Sequence, residues 1–256
     1  MAKIIAIANQ KGGVGKTTTS VNLSAALAEA GKKTLMVDLD PQGNTTSGLG
    51  CATNGSNSVY DALMGRTAIH ACMQETVQKK LKLIGSDIRL AGAEVELVSV
   101  EEREFYLKKL LATLRDEFDY ILIDCPPSLS LLTLNALAAA DTVLIPIQCE
   151  YYALEGVTSL MNTVNRVRKT INPRLDIEGI LLTMLDGRTN LGLQVVDQVK
   201  KHFRKAVFAT IIPRNVRLGE APSHGLPINL YDQRSAGAAA YHDLAKEVIS
   251  RNRKNK

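Results

Sequence analysis

The stretch Lys11-Gly12-Gly13-Val14-Gly15-Lys16-Thr17-Thr18 follows directly on the apolar run Ile4-Ile5-Ala6-Ile7-Ala8 and precedes a helix-like segment. A strand, a glycine-rich turn and a helix N-terminus in that order form an anion cradle, because consecutive backbone N–H groups and the helix dipole converge on one point. Lys16 adds a point charge suited to β- and γ-phosphates, and the Thr17 hydroxyl is a ligand suited to Mg²⁺. Gly12, Gly13, Val14, Gly15 and Thr18 complete the cradle, so the pattern implies a nucleoside triphosphate site. A dinucleotide site is disfavoured, because Thr18 stands where the third glycine of that fingerprint belongs.

Composition fits one α/β domain. The 256 residues are 45% hydrophobic and 22% charged, enough apolar material for a sizeable core. No apolar run approaches the ~18 residues of a membrane span, and the N-terminus reads as a strand rather than a signal peptide. The expected location is therefore the cytoplasm. Cys51, Cys72, Cys125 and Cys149 lack metal-ligand spacing and read as reduced core or loop residues. Charge is unevenly spread: residues 1–159 hold 14 Lys and Arg against 18 Asp and Glu, whereas residues 160–256 hold 17 against 8. A polyanion, either nucleic acid or an anionic membrane, is the partner class this implies.

Strand patterns at 3–8, 34–38, 81–84, 120–124, 142–147, 177–185 and 207–211 alternate with helical patterns at 17–30, 102–117, 154–170, 194–203 and 238–250. Such alternation predicts a single, mostly parallel twisted sheet flanked by helices, with ligands at the carboxyl ends of its strands. The domain is expected to span residues 1–250, with 251–256 as a basic tail. In Val37-Asp38-Leu39-Asp40-Pro41, the strand period of two puts both aspartates on one face, and Pro41 leaves Asp40 at the tip near the phosphates. There it can hold the water shell of Mg²⁺ and orient attacking water. Asp38 reads either as a hydrogen-bonded strand-end residue or as an outer contact of that shell. Tyr120-Ile121-Leu122-Ile123-Asp124 reads as an apolar strand ending in a carboxylate placed to take up Mg²⁺ directly or through water.

The KGGVGKTT form, with Gln10 where the ordinary phosphate loop has glycine and with an added Lys11, resembles the deviant Walker motif of the ParA, MinD and nitrogenase-iron-protein ATPases. DLDPQGN (38–44), QCEYYALEG (148–156), LLTMLDGRTNLG (181–192) and IPRNVRLGEAPSHGLPI (212–228) resemble chromosomal ParA proteins of the short Soj type. The resemblance implies an ATP- and Mg²⁺-dependent ATPase with Lys11, Lys16 and Asp40 as catalytic residues and Thr17, Asp40 and Asp124 around the metal. It implies that Lys11 reaches the phosphates of a second copy in an ATP-dependent homodimer. Pro213 and Asn215 match the adenine-contacting loop, and residues 128–132 the γ-phosphate switch. Arg188 and Arg217 match DNA-contacting segments, which implies non-specific double-stranded DNA binding, nucleoid association and stimulation by a ParB-type protein. The family has further links to replication initiation and sporulation control. No N-terminal helix-turn-helix extension precedes the first strand, so sequence-specific operator reading is not expected.

Lys200, Lys201, Arg204 and Lys205 form a further basic cluster, read as a solvated face that could extend a footprint. The alternatives are a MinD-like membrane-cycling ATPase and an iron-protein-like electron carrier. The first needs a bulky apolar C-terminal face, whereas Tyr241, Leu244, Ala245 and Val248 form only a narrow stripe before a basic tail. The second needs two cluster-holding cysteines per subunit, and Cys125 has no evident companion.

Overall fold

The computed structural model describes residues 1–53, 55, 57–150 and 153–254. Tyr151 and Tyr152 of the 148–156 segment, and Asn255 and Lys256 of the tail, lie outside them. Eight strands form one sheet: β1 (Lys3–Ile7), β2 (Thr34–Asp38), β3 (Met73–Glu75), β4 (Leu81–Ile84), β5 (Tyr120–Asp124), β6 (Thr142–Gln148), β7 (Asp176–Leu185) and β8 (Val207–Pro213). Their order is β3-β4-β2-β5-β1-β6-β7-β8. All neighbours run parallel except β3, which pairs antiparallel with β4 at the edge.

The sequence dictates this layering. Every residue of β2 and β5 is buried, as expected for parallel strands covered on both faces. Alternate residues serve opposite layers: Ile4 and Ala6 join one core, and Ile5 and Ile7 the other. The first layer is closed by the helices Tyr106–Ala112, Leu131–Ala139, Ala153–Thr170 and Asn190–Phe203 through Leu107, Leu132, Leu160 and Val195. The second is closed by Lys16–Glu29 and Ala236–Lys254 through Leu23, Leu27, Tyr241, Leu244 and Val248. Tyr241 is fully enclosed, and its hydroxyl lies 3.2 Å from that of Thr19. This pair satisfies the one polar atom the ring brings into the layer.

The helix expected over 102–117 is shorter. Glu102 is left-handed (φ 52°), a 3₁₀ turn follows at Arg103–Phe105, and the α-helix is Tyr106–Ala112. Its exit tightens, with Leu114 and Glu117 donating to carbonyls three residues back, because β5 begins three residues later. Leu131–Ala139 has no amphipathic period to detect, being buried nearly all round. Its polar Asn135 is held by the carbonyls of Arg103 and Leu131.

β7 must approach β8 closely at Gly179, where any Cβ would overlap the enclosed Phe208 ring. The Arg251 guanidinium stacks on that ring at 4.1 Å and bonds to the backbone carbonyls of Glu178 and Val207. The ring therefore has no room to retreat. Gly179→Ala should destabilise the fold by about 1–3 kcal/mol, read as a lower urea midpoint with unchanged slope.

Candidate nucleotide-binding site

The phosphate loop is pinned at both ends before any ligand arrives. Asn9 donates to the Pro146 carbonyl (2.8 Å) and accepts from the Lys11 amide (3.0 Å). Gly13 and Gly15 take left-handed φ of 73° and 86°, a backbone that L side chains resist. The helix Lys16–Glu29 starts immediately beyond, so its unpaired N-terminal amides open onto the loop. Lys16 is buried, and its ammonium donates to the Lys11 carbonyl at 3.2 Å. Burial holds its pKa below the usual lysine value, against the opposing pull of Asp124, Cys125 and Asp40.

Asp124 ends β5 with 1% exposure and collects three hydroxyls: Thr17 (3.0 Å), Ser20 (2.9 Å) and Thr45 (2.7 Å). Burial pushes its pKa up to about 6 despite these donors. Asp38 lies directly across the β2–β5 ladder. Its oxygens accept from the Thr46 amide (2.8 Å), the Thr46 hydroxyl (2.7 Å) and the Asp40 amide (3.2 Å), and burial followed by Asp124 raises it to about 7. Of the two readings of Asp38, this favours the hydrogen-bonded strand end. Asp40 makes a turn across Pro41, accepting from the Gln42 amide at 3.0 Å, and its charge acts on both Lys16 and Asp124.

Among the described residues no group of three or more His, Cys, Asp or Glu could hold a metal alone. What the site offers is the Thr17 hydroxyl beside the Asp124 carboxylate, with Asp40 facing the same charges. That donor set fits Mg²⁺, which keeps most of its waters and takes one or two protein oxygens together with phosphate.

A cavity of about 470 Å³ adjoins the loop, lined by Gly15, Thr18, Met184, Pro213, Asn215 and Tyr241 among others. Pro213 closes β8. Asn215 caps the short helix Val216–Glu220 by accepting from the Arg217 amide at 2.9 Å. Its amide oxygen thus serves as the helix cap while the residue lines the cavity.

Lys11 is less deeply placed than Lys16. Its side chain is 41% exposed, with Nζ 3.5 Å from the exposed Glu150. Arg188 and Arg217 leave the carboxyl ends of the adjacent strands β7 and β8, but each already has acidic neighbours. Arg188 makes a two-point contact with Asp186 (2.9 and 2.7 Å). Arg217 meets Glu220 at 2.8 Å and Asp232 at 3.5 Å. Lys200 and Lys201 lie in the last turn of Asn190–Phe203, and Arg204 and Lys205 in the 3₁₀ turn after it. Cys72, Cys125 and Cys149 are buried and Cys51 half-buried. Burial pushes Cys72 and Cys149 to about 11, so these thiols are inert at neutral pH.

Sequence reasoning missed Ser20 and Thr45, which share Asp124 with Thr17, and Thr183, described below. Ser20 had a signal: it stands one helical turn beyond Lys16, on the face that meets the sheet.

Residues 2–177 match the family model described as an AAA domain. The sporulation initiation inhibitor protein Soj of Bacillus subtilis is 60% identical, with 98% of this chain and 99% of that protein covered. The chromosome-partitioning ATPase Soj of Treponema pallidum is 56% identical, covering 98% of each. The chain belongs to the ParA/Soj family of chromosome-partitioning ATPases. It is an ATPase that works with ATP and Mg²⁺. Among solved structures, cobyrinic acid a,c-diamide synthase from Mycobacterium smegmatis with bound ADP and magnesium superposes with TM-score 0.88 at 38% identity, covering 100% of this chain and 97% of that one. The cell division ATPase MinD of Pyrococcus furiosus gives 0.80 at 27%, covering 98% and 99%. The two Soj relatives thus stand well above these structural neighbours in identity.

The Asp38–Asp124 pair gives this ParA/Soj chain a pH signature. An unfolded Asp38 loses its proton near 3.8, whereas the folded one holds it to about 7. Between these values the folded state binds the extra proton, so stability falls as pH rises and levels off above about 7. Asp38→Asn removes its share of that slope and leaves the share of Asp124, itself raised to about 6. Urea midpoints of unliganded protein between pH 5 and pH 8 should drop more for wild type than for the variant; equal drops would contradict the assignment.

Proposed function

We propose that ATP closes two copies of this chain face to face, with Lys11 of each reaching the phosphates held by the other. The observation that carries this reading is the contrast between the lysines. Lys16 is folded back onto its own loop, while Lys11 projects from the rim, its ammonium paired among the described residues with the exposed Glu150, an interaction of small free energy. Lys11 can therefore be redirected at little cost. Asp40, held by its turn beside the Lys16 and Asp124 charges, orients the attacking water, and hydrolysis reopens the dimer.

Closing the dimer aligns two copies of the carboxyl-end surface that carries Arg188 and Arg217. Duplex phosphates would replace Asp186, Glu220 and Asp232 as partners of these arginines, which gives sequence-independent binding. Neither the 186–190 loop nor the 215–218 segment carries an aromatic residue, and Tyr231, the ring beside Arg217, is half-buried with its hydroxyl on Glu220, which favours duplex over a base-stacking mode. A ParB-type protein stimulating hydrolysis, nucleoid association, and an output to replication initiation or sporulation follow from family membership and belong to this proposal. A MinD-like membrane cycle has less support. Tyr241, Leu244, Ala245 and Val248 are all buried in the second core layer, and Arg251 of the expected tail is bound to the sheet.

Binding of unrelated duplexes with ATP, with ADP and without nucleotide tests the reading. Wild type should bind all duplexes alike, tightest with ATP, with log affinity falling against log salt at about −0.9 per neutralised phosphate. Lys11→Ala should bind ATP but gain no DNA affinity from it. Arg188→Ala with Arg217→Ala should weaken every duplex equally and flatten the slope while ATP-dependent dimerisation persists. Equal DNA affinity with and without ATP would overturn the gating, and a double variant that lost liposome rather than DNA binding would favour the membrane alternative.

A further inference from the structure

The carboxyl end of β7 departs from a regular strand where it passes the nucleotide site. Its register with β8 slips between Leu182, opposite Ile211, and Leu185, opposite Pro213. One extra residue is therefore accommodated at Thr183-Met184, which is a β-bulge. Met184 is left-handed there, with φ 53°. For an unbranched non-glycine residue this is a strained backbone that persists only where the surroundings enforce it.

The bulge changes which way two consecutive side chains face. In a regular strand Thr183 and Met184 would lie on opposite faces of the sheet. Here both reach Gly15: a Cβ at that position would lie 3.8 Å from Thr183 Cβ and 3.7 Å from Met184 Cε. The Thr183 hydroxyl is buried, 2.8 Å from the Val14 carbonyl and 3.0 Å from that of Ile147, sharing its hydrogen between them. The Thr183 carbonyl in turn accepts from the Cys149 amide at 3.1 Å. Met184 lines the 470 Å³ cavity next to Pro213 and Asn215.

We infer that Thr183 is a positioning residue for the phosphate loop, and that the bulge at Met184 is the device that aims it. The peptide joining Val14 to Gly15 is planar and trans, so its C=O and N–H point in opposite directions. Holding the Val14 carbonyl against Thr183 fixes the Gly15 N–H on the other side, toward the space where phosphate oxygens sit. This donor is then oriented before nucleotide binds, and its ordering cost does not fall on the binding step. Met184 places a pliable thioether along the same glycine and toward the nucleoside cavity, so one bulge steadies both halves of the nucleotide site.

Calorimetric titration with ADP tests this without requiring a dimer. Thr183→Val keeps the shape but leaves the Val14 and Ile147 carbonyls without their donor. It should weaken ADP about tenfold, the scale of one hydrogen bond, and adenosine by less than about twofold, since the base cavity is untouched. Thr183→Ser, which keeps the hydroxyl, should stay within about twofold of wild type for both ligands. A merely packing role predicts a lower melting temperature for Thr183→Val with unchanged ADP affinity. That result, an equal loss for ADP and adenosine, or a serine variant as weak as the valine one would each overturn the assignment. Should Thr183→Val fail to fold, Thr183→Ala carries the test: it also removes the hydroxyl and should bind ADP about tenfold more weakly than Thr183→Ser; equal ADP affinity of the alanine and serine variants would overturn the proposal.

Discussion

Three hydroxyls converging on one buried carboxylate hold the working end of this molecule together. Asp124 receives Thr17 from the start of the first helix, Ser20 one turn further along and Thr45 from the segment after β2. Those donors come from two segments, the first helix and the stretch after β2, so the phosphate loop, the Asp40 turn and the central strand cannot move independently. The arrangement carries a cost, because a carboxylate with almost no solvent contact resists ionisation even with three donors. Asp38 stands beside it in the same condition. In the unliganded fold the site therefore holds an unfavourable concentration of buried acid, only partly balanced by Lys16.

That imbalance suits an ATPase. A divalent cation held there would, with the Lys16 ammonium, supply the positive charge that the two aspartates lack, and phosphate oxygens would meet the amides of the glycine loop. Nucleotide and metal would then each make the site more favourable for the other, a thermodynamic coupling rather than a movement. The clasp of Thr183 on Val14 belongs to the same economy of motion, since a loop already held in shape loses little freedom on binding.

Much of this was legible in the sequence, for identifiable reasons. The phosphate loop is local, with glycines, lysine and threonine in fixed spacing, so strand, turn and helix could be read together. The parallel strands announce themselves as continuous apolar runs, and seven of the eight fell at or within two residues of their expected limits. The edge strand Met73–Glu75 was not legible, being three residues long and paired on one side only. Nor was Leu131–Ala139, whose all-round burial erases the helical period. In the site, Lys16, Thr17 and Asp124 were readable from motif, whereas Ser20, Thr45 and Thr183 act through contacts that only the tertiary fold creates. The Thr183 contact to Val14 joins residues 169 apart. The pairing of Arg188 and Arg217 with nearby acids was likewise invisible, because a basic residue in a loop does not disclose which carboxylate it faces.

Asp124 is the structural tie of the site and, as proposed, the carboxylate through which Mg²⁺ strengthens nucleotide binding. The most direct test is the affinity for ADP, with Mg²⁺ and in EDTA, of wild type and Asp124→Asn, whose Oδ1 still accepts from hydroxyls while Nδ2 can only donate, and which carries no charge. Wild type should bind ADP more tightly with Mg²⁺, and Asp124→Asn should bind ADP in EDTA yet lose most of the gain that Mg²⁺ brings. An Asp124→Asn protein that kept the full Mg²⁺-dependent gain would contradict the account.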